Sequence, residues 1–129
     1  TGPSLSPENP YKAVKEKGYI ARHANGPEID NQLTRALLKS LLCAYDILGI
    51  EDEDKKTFET LLTKIRTPRV NKNGAILEWN EDFEEDNKEH RHLSHLFALY
   101  PYYDIMRDAV VKVAEEEANK PKRARKKLT

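Results

Sequence analysis

The chain has 129 residues, one domain at most, and its 22 Lys and Arg balance 22 Asp and Glu, so no global field draws it to nucleic acid or an anionic membrane. A single cysteine, Cys43, excludes an intrachain disulfide and a multi-cysteine zinc site. No apolar run reaches membrane-spanning length, and "TGPSLSPENP" has neither the basic nor the apolar part of a signal peptide, so any leader is expected outside this sequence.

Pro3, Pro7 and Pro10 keep the N-terminus out of helix, since proline restricts itself and the residue before it, and predict an ordered loop there. "AVKEKGYIAR" (Ala13 to Arg22) alternates around Gly18 and reads as a small hairpin. From Asp30 the period changes. Leu33, Leu37, Leu41, Ala44, Tyr45 and Leu48 recur at helical steps, with Asp30 placed to cap the start and Gly49 to end it. Cys43 lies in this run and is expected to be buried and inert. A second helix is predicted from about Asp52, with Phe58, Leu61, Leu62 and Ile65 on one face and Pro68 as the stop, forming an antiparallel pair with the first.

"RVNKNGAILEWN" (Arg69 to Asn80) turns at Asn73-Gly74, after which His92 to Tyr100 is apolar nearly all round and predicts a buried helix ended by Pro101. A last helix from Asp104 puts Met106, Ala109, Val110 and Val113 on one stripe. The balanced charge is unevenly placed: "NEDFEEDNKE" (Asn80 to Glu89) is acidic, and "KPKRARKK" (Lys120 to Lys127) is basic but lacks the aromatic interleaving of a nucleic-acid site. There is no internal repeat.

"EHRHLSHLFALYP" (Glu89 to Pro101) sets three histidines against an apolar run. His90, His92 and His95 read as metal ligands would lack the paired spacing on one helical face and the further ligand that a zinc site usually shows. They can equally cap a buried helix and bond to backbone. In a third reading they line a polar pocket with Trp79 as a stacking platform and Glu78 or Asp82 as acceptors, the mixture a sugar requires, with its apolar face and its rim of hydroxyls.

Four blocks in order, "GPSLSPEN" (Gly2 to Asn9), "EIDNQL" (Glu28 to Leu33), "GAILEWNEDF" (Gly74 to Phe83) and "HRHLSHLFALYP" (His90 to Pro101), resemble glycoside hydrolase family 95, the inverting α-L-fucosidases. The resemblance implies a mainly α fold, a fragment of an (α/α)6 barrel of about four helices with an N-terminal loop and a small hairpin. It divides residues 1–129 into an acid-bearing loop and hairpin (1–27), helices (28–119) and a basic tail (120–129). It implies a secreted or periplasmic enzyme that cleaves terminal fucose, commonly α-1,2-linked to galactose, or in some relatives α-L-galactosides.

By the same resemblance Glu8 is the general acid, Glu78, Trp79, His90 and His92 lie at the sugar subsite, and Asp30, Asp82 and His95 support it. It implies no metal and no cofactor; the partners are a fucosylated glycan and the remainder of the catalytic domain, with no nucleic acid and no membrane. An acid raised by burial on a preorganised loop suits protonation of a glycosidic oxygen. Inversion also needs a base on the opposite ring face. The family draws it from an aspartate in a QIDGNFG-like block downstream of the HRHxSHL block and from asparagines in an NxN block upstream of SPEN, and neither block is found at its place in these 129 residues. Tyr102 stands where the family usually has glycine after "LYP", and the downstream tryptophan-containing segment is absent. The expectation is a portion holding the acid but not the base; the alternative is a non-catalytic helical module, carbohydrate-binding or structural.

Overall fold

A computed structural model describes residues 1–14, 18–105 and 112. They fall into two units, Thr1–Phe97 and a second from Ala98 onward. The first holds β1 (Pro3–Leu5), β2 (Tyr11–Val14), β3 (Tyr19–Ala21), β4 (His23–Asn25), α1 (Glu28–Leu48), α2 (Glu53–Lys64) and β5 (Glu84–Glu85).

The N-terminus is out of helix, as the prolines require, but in place of the expected loop Pro3–Leu5 forms β1, antiparallel to β4 with Ser4 opposite Ala24. The hairpin around Gly18 forms between β2 and β3, and Gly18 takes a φ of 65°, open to glycine without steric cost. β5, from the acidic stretch, adds to the other edge of β2. There Lys12 lies opposite Glu84, its Nζ 2.6 Å from the carboxylate. Strand alternation turns the neighbouring Tyr11 inward. It stacks on Phe83 with ring centroids 4.2 Å apart and tilts against Trp79 at 5.2 Å. Tyr11 Oη also donates to the His23 carbonyl at 2.9 Å, tying the two sheets together. With Ala21 and Ala24 these rings form the apolar core, in which Trp79 is 2% exposed.

α1 ends as its sequence predicts. Gly49 is left-handed, and the amides of Gly49 and Ile50 donate back to Asp46 and Tyr45 at 3.2 and 3.0 Å, so the last carbonyls keep partners. Its start differs. The helix begins at Glu28, Pro27 occupies the cap without a side-chain bond, and Asp30 sits in the first turn, where a carboxylate complements the helix dipole. α2 starts where Asp52 accepts from the Lys55 amide at 2.9 Å. The pair is antiparallel: Arg35 near the start of α1 donates to the Ile65 carbonyl past the end of α2 at 3.1 Å. Toward the other end of α1, Tyr45 meets Phe58 edge to face at 5.9 Å. The turn before Gly74 is also present, Asn71 Oδ1 accepting from the amides of Asn73 and Ala75.

The mainly α fold of about four helices, expected as a fragment of an (α/α)6 barrel, is corrected: the described residues hold two α-helices and five short strands in two antiparallel sheets. The segment His92 to Tyr100 forms one 3-10 turn, Ser94–Leu96. Its polar groups are engaged elsewhere, the His95 carbonyl by the Gln32 side chain at 2.6 Å and the Ser94 hydroxyl by the Pro7 carbonyl at 2.7 Å, and Pro101 disfavours helix at Tyr100. The stripe Met106, Ala109, Val110, Val113 and the basic tail lie outside the described residues. Cys43 is exposed rather than buried, as are Leu33, Leu37, Ala44 and Leu48 of the predicted stripe. Periodicity locates the helix, but of the predicted stripe only Leu41 and Tyr45 are half-buried, Tyr45 against Phe58. In the second unit the Ile105 amide donates to the Ala98 carbonyl at 3.0 Å, and Tyr100 and Tyr103 meet edge to face.

Candidate active site

Ser6 to Asn9 close a tight turn, the Asn9 amide donating to the Ser6 carbonyl at 2.7 Å. Pro7 lies inside it and Pro10 follows, and the Pro7–Glu8 peptide is cis. Glu8 stands at the tip with its side chain 63% exposed, whereas Ser6 and Asn9 turn fully inward. A buried hydroxyl and a buried amide require partners, and both find the same carboxylate. Ser6 Oγ donates to Glu78 Oε1 at 2.7 Å and Asn9 Nδ2 to Glu78 Oε2 at 2.8 Å. Ser94 adds the bond to the Pro7 carbonyl. The Arg91 guanidinium lies 3.7 Å from the Glu8 carboxylate, an exposed pairing worth little by itself.

Glu78 is fixed in turn. Its carbonyl accepts from the Glu28 amide at 2.9 Å, and His95 Nδ1 is 3.5 Å from its Oε2. Gln32 Nε2 reaches both the His95 carbonyl and Glu28 Oε1, at 2.6 and 3.1 Å. Arg66 Nη2 donates to the Gly26 carbonyl at 2.9 Å and lies 3.7 Å from Glu28 Oε2. Burial pushes the Glu28 carboxyl above its ordinary value, while the Gln32 bond and then Arg66, Arg69 and Arg35 pull it back only in part.

The residues singled out in the sequence thus have distinct places. Glu8, Glu78 and His95 come together through the turn and the Glu78 carboxylate. The Trp79 ring lies in the aromatic core against Tyr11 and Phe83. His90 and His92 face each other at right angles, centroids 5.3 Å apart, with the His92 amide donating to His90 Nδ1 at 3.3 Å. Asp30 sits in the first turn of α1, its carbonyl accepting from Thr34 Oγ1, and Asp82 is exposed. Among the described residues no three His, Cys, Asp or Glu side chains group as metal ligands. A cleft of about 290 Å³ beside the core is lined by Tyr11, His23, Asn25, Asn80, Glu81 and Phe83 with Pro3 and Ala24.

Sequence reasoning passed over Ser6, Asn9, Glu28, Gln32 and Ser94. All five lie inside the four blocks, so the signal was the block itself rather than any one reactive residue type. Arg66 lies outside every block, and nothing local marked it.

The carboxyl group of Glu8 thus stands at the tip of a turn tied to Glu78 through the buried Ser6 and Asn9 side chains and to Ser94 by a further bond, a preorganised support of the kind that holds a reacting group in place. Residues 1–123 match the glycosyl hydrolase family 95 catalytic domain. The chain belongs to glycosyl hydrolase family 95. It is similar to alpha-L-fucosidase 2 of Arabidopsis thaliana, with 35% identity over 112 residues, spanning 81% of this chain and 12% of that protein.

Proposed function

We propose that the protein containing this chain is an α-L-fucosidase-like glycosidase that removes terminal fucose, α-1,2-linked, with inversion, and that Glu8 is its general acid. The observation that carries the reading is the turn itself: Glu8 projects from it while both flanking polar residues are bonded to Glu78. In this reading His90 and His92 line the sugar subsite, Glu78 and Trp79, 5% and 2% exposed, stand behind it as supports, and Asp30, Asp82 and His95 hold their neighbours in place. The base lies in another segment, opposite the acid and about 6.5–9.5 Å from it, the gap that admits a water in an inverting site. Glu8 is exposed in this chain, so its desolvation falls to the rest of the domain or to the bound glycan. The enzyme works outside the cytoplasm, on fucosylated glycans, and this chain alone turns nothing over.

The test is hydrolysis of an α-1,2-fucosyl galactoside by the full-length protein, followed by NMR of the first product. β-Fucose as the initial anomer, and a loss of about 10²–10⁴-fold in Glu8→Gln, the usual worth of a general acid, are the expected results. An α-anomer would overturn inversion, and full activity in Glu8→Gln would overturn the assignment of the acid. Turnover by the isolated chain would overturn its incompleteness.

A further inference from the structure

We propose that Glu78 is a positioning residue for the general acid: by accepting from Ser6 and Asn9, one on each side of Pro7–Glu8, it sets the direction from which Glu8 delivers its proton. This rests on the reading of Glu8 as the acid.

Both Glu78 oxygens are spent on the turn, at 2.7 and 2.8 Å, and the residue is 5% exposed, so little of it is left for a sugar. Its backbone is anchored to the first turn of α1 by the Glu28 amide. The Asn9 amide closes the turn onto the Ser6 carbonyl, and Ser94 holds the Pro7 carbonyl from a fourth segment. A four-residue turn tied at Ser6, Pro7 and Asn9 leaves Glu8 little freedom beyond its own side-chain torsions. The two bonds to Glu78 are buried, where each is stronger than in water and each unmade one is costly. A displacement of about 1 Å at a reacting group can cost on the order of 10²-fold in rate, so the clamp is read in kcat rather than in affinity.

The decisive measurement uses the full-length protein and two substrates. A fucoside with a sugar leaving group needs a proton; an activated aryl fucoside, whose leaving group departs as a stable anion, needs none. Glu78→Ala is expected to lower kcat on the first by about 10²-fold with KM nearly unchanged, and to leave the second within a few fold. Glu78→Gln keeps an acceptor for Ser6 and turns its amide toward Asn9, whose unbonded Oδ1 can accept it once the Asn9 amide rotates, so this conservative variant is expected to keep most of kcat on the first substrate. Ser6→Ala removes one of the two bonds and gives a smaller loss of the same selective kind, so it decides the matter if the Glu78 variants do not fold.

Equal losses on both substrates, or a raised KM with kcat intact, would show that Glu78 is general scaffold or touches the sugar, and would end the proposal. Glu8→Gln is the separate control. If it lacks the dependence on leaving group, the acid reading falls as well. If it has the dependence and Glu78→Ala and Ser6→Ala do not, only the positioning role falls.

Discussion

Around Glu78 the side chains of Ser6, Asn9, Glu28 and Gln32 are polar and fully buried; along α1 the apolar Leu37, Ile47 and Leu48 are 60, 79 and 70% exposed. Burial at these two places therefore does not follow hydrophobicity, although it does in the core around Tyr11 and Trp79. At the junction it follows partnership: the side chains of Ser6, Asn9, Glu28 and Gln32 each make at least one hydrogen bond inside the unit, while Asn9 Oδ1 and Glu28 Oε2 are buried without one; Leu37, Ile47 and Leu48 stay exposed. A polar interior of this kind fixes one arrangement of its segments, because any slip leaves buried groups unpaired. An uncovered apolar stripe instead marks where cover from elsewhere is needed. The chain spans 12% of the length of the relative it matches.

The largest way to break this contrast is to remove the ring that supports the junction. Trp79 follows Glu78 directly and is buried against Tyr11 and Phe83. Trp79→Ala is expected to cost about 3–5 kcal/mol in a urea melt, the range for deleting a large buried aromatic side chain. Leu37→Ala in the same assay is expected to cost under about 0.5 kcal/mol, as an exposed substitution. Similar costs at the two positions would mean that the helix face is covered in solution.

A smaller effect appears with pH. Burial raises the Glu28 carboxyl above its ordinary value of 4.5, so the folded chain holds this proton at pH values where the unfolded chain has released it. The resulting stability is complete below the unfolded value and is lost as pH rises through the folded one. Stability followed from about pH 4 upward should therefore contain a falling component that Glu28→Gln abolishes. A profile unchanged by the substitution would show that Gln32 and the arginines already neutralise the cost of burial.

The same division explains what the sequence makes legible. α1 and α2 are readable because their signals are local: spacing, the cap at Asp52, the glycine at Gly49. The hairpin and the turn before Gly74 are readable for the same reason. The expected helix at His92 to Tyr100 is not, since the groups that undo it, Gln32 and Pro7, are 63 and 87 residues away from their partners His95 and Ser94. The four blocks point to the right neighbourhood, and their reactive residues to candidate chemistry. The clamp itself is invisible from spacing, because Ser6 and Glu78 are 72 residues apart. Nor can periodicity tell a stripe that faces its own chain from one that waits for another segment.

The smallest effect sharpens the comparison most, because its size should depend on how much of the protein is present. Ile47 is 79% exposed near the end of α1, so in this chain Ile47→Lys places a charge in water and should change stability by no more than about 0.5 kcal/mol. It should also reduce binding of a hydrophobic dye and slow sedimentation-detected self-association, since it interrupts the apolar stripe. In the full-length protein the same lysine would be forced beneath the covering segment, where an unpaired charge costs several kcal/mol. Paired melts of the two proteins read this difference directly. A near-neutral result in both would mean that this end of α1 faces solvent throughout, and the requirement for cover would then rest on Leu33 and Leu37 alone.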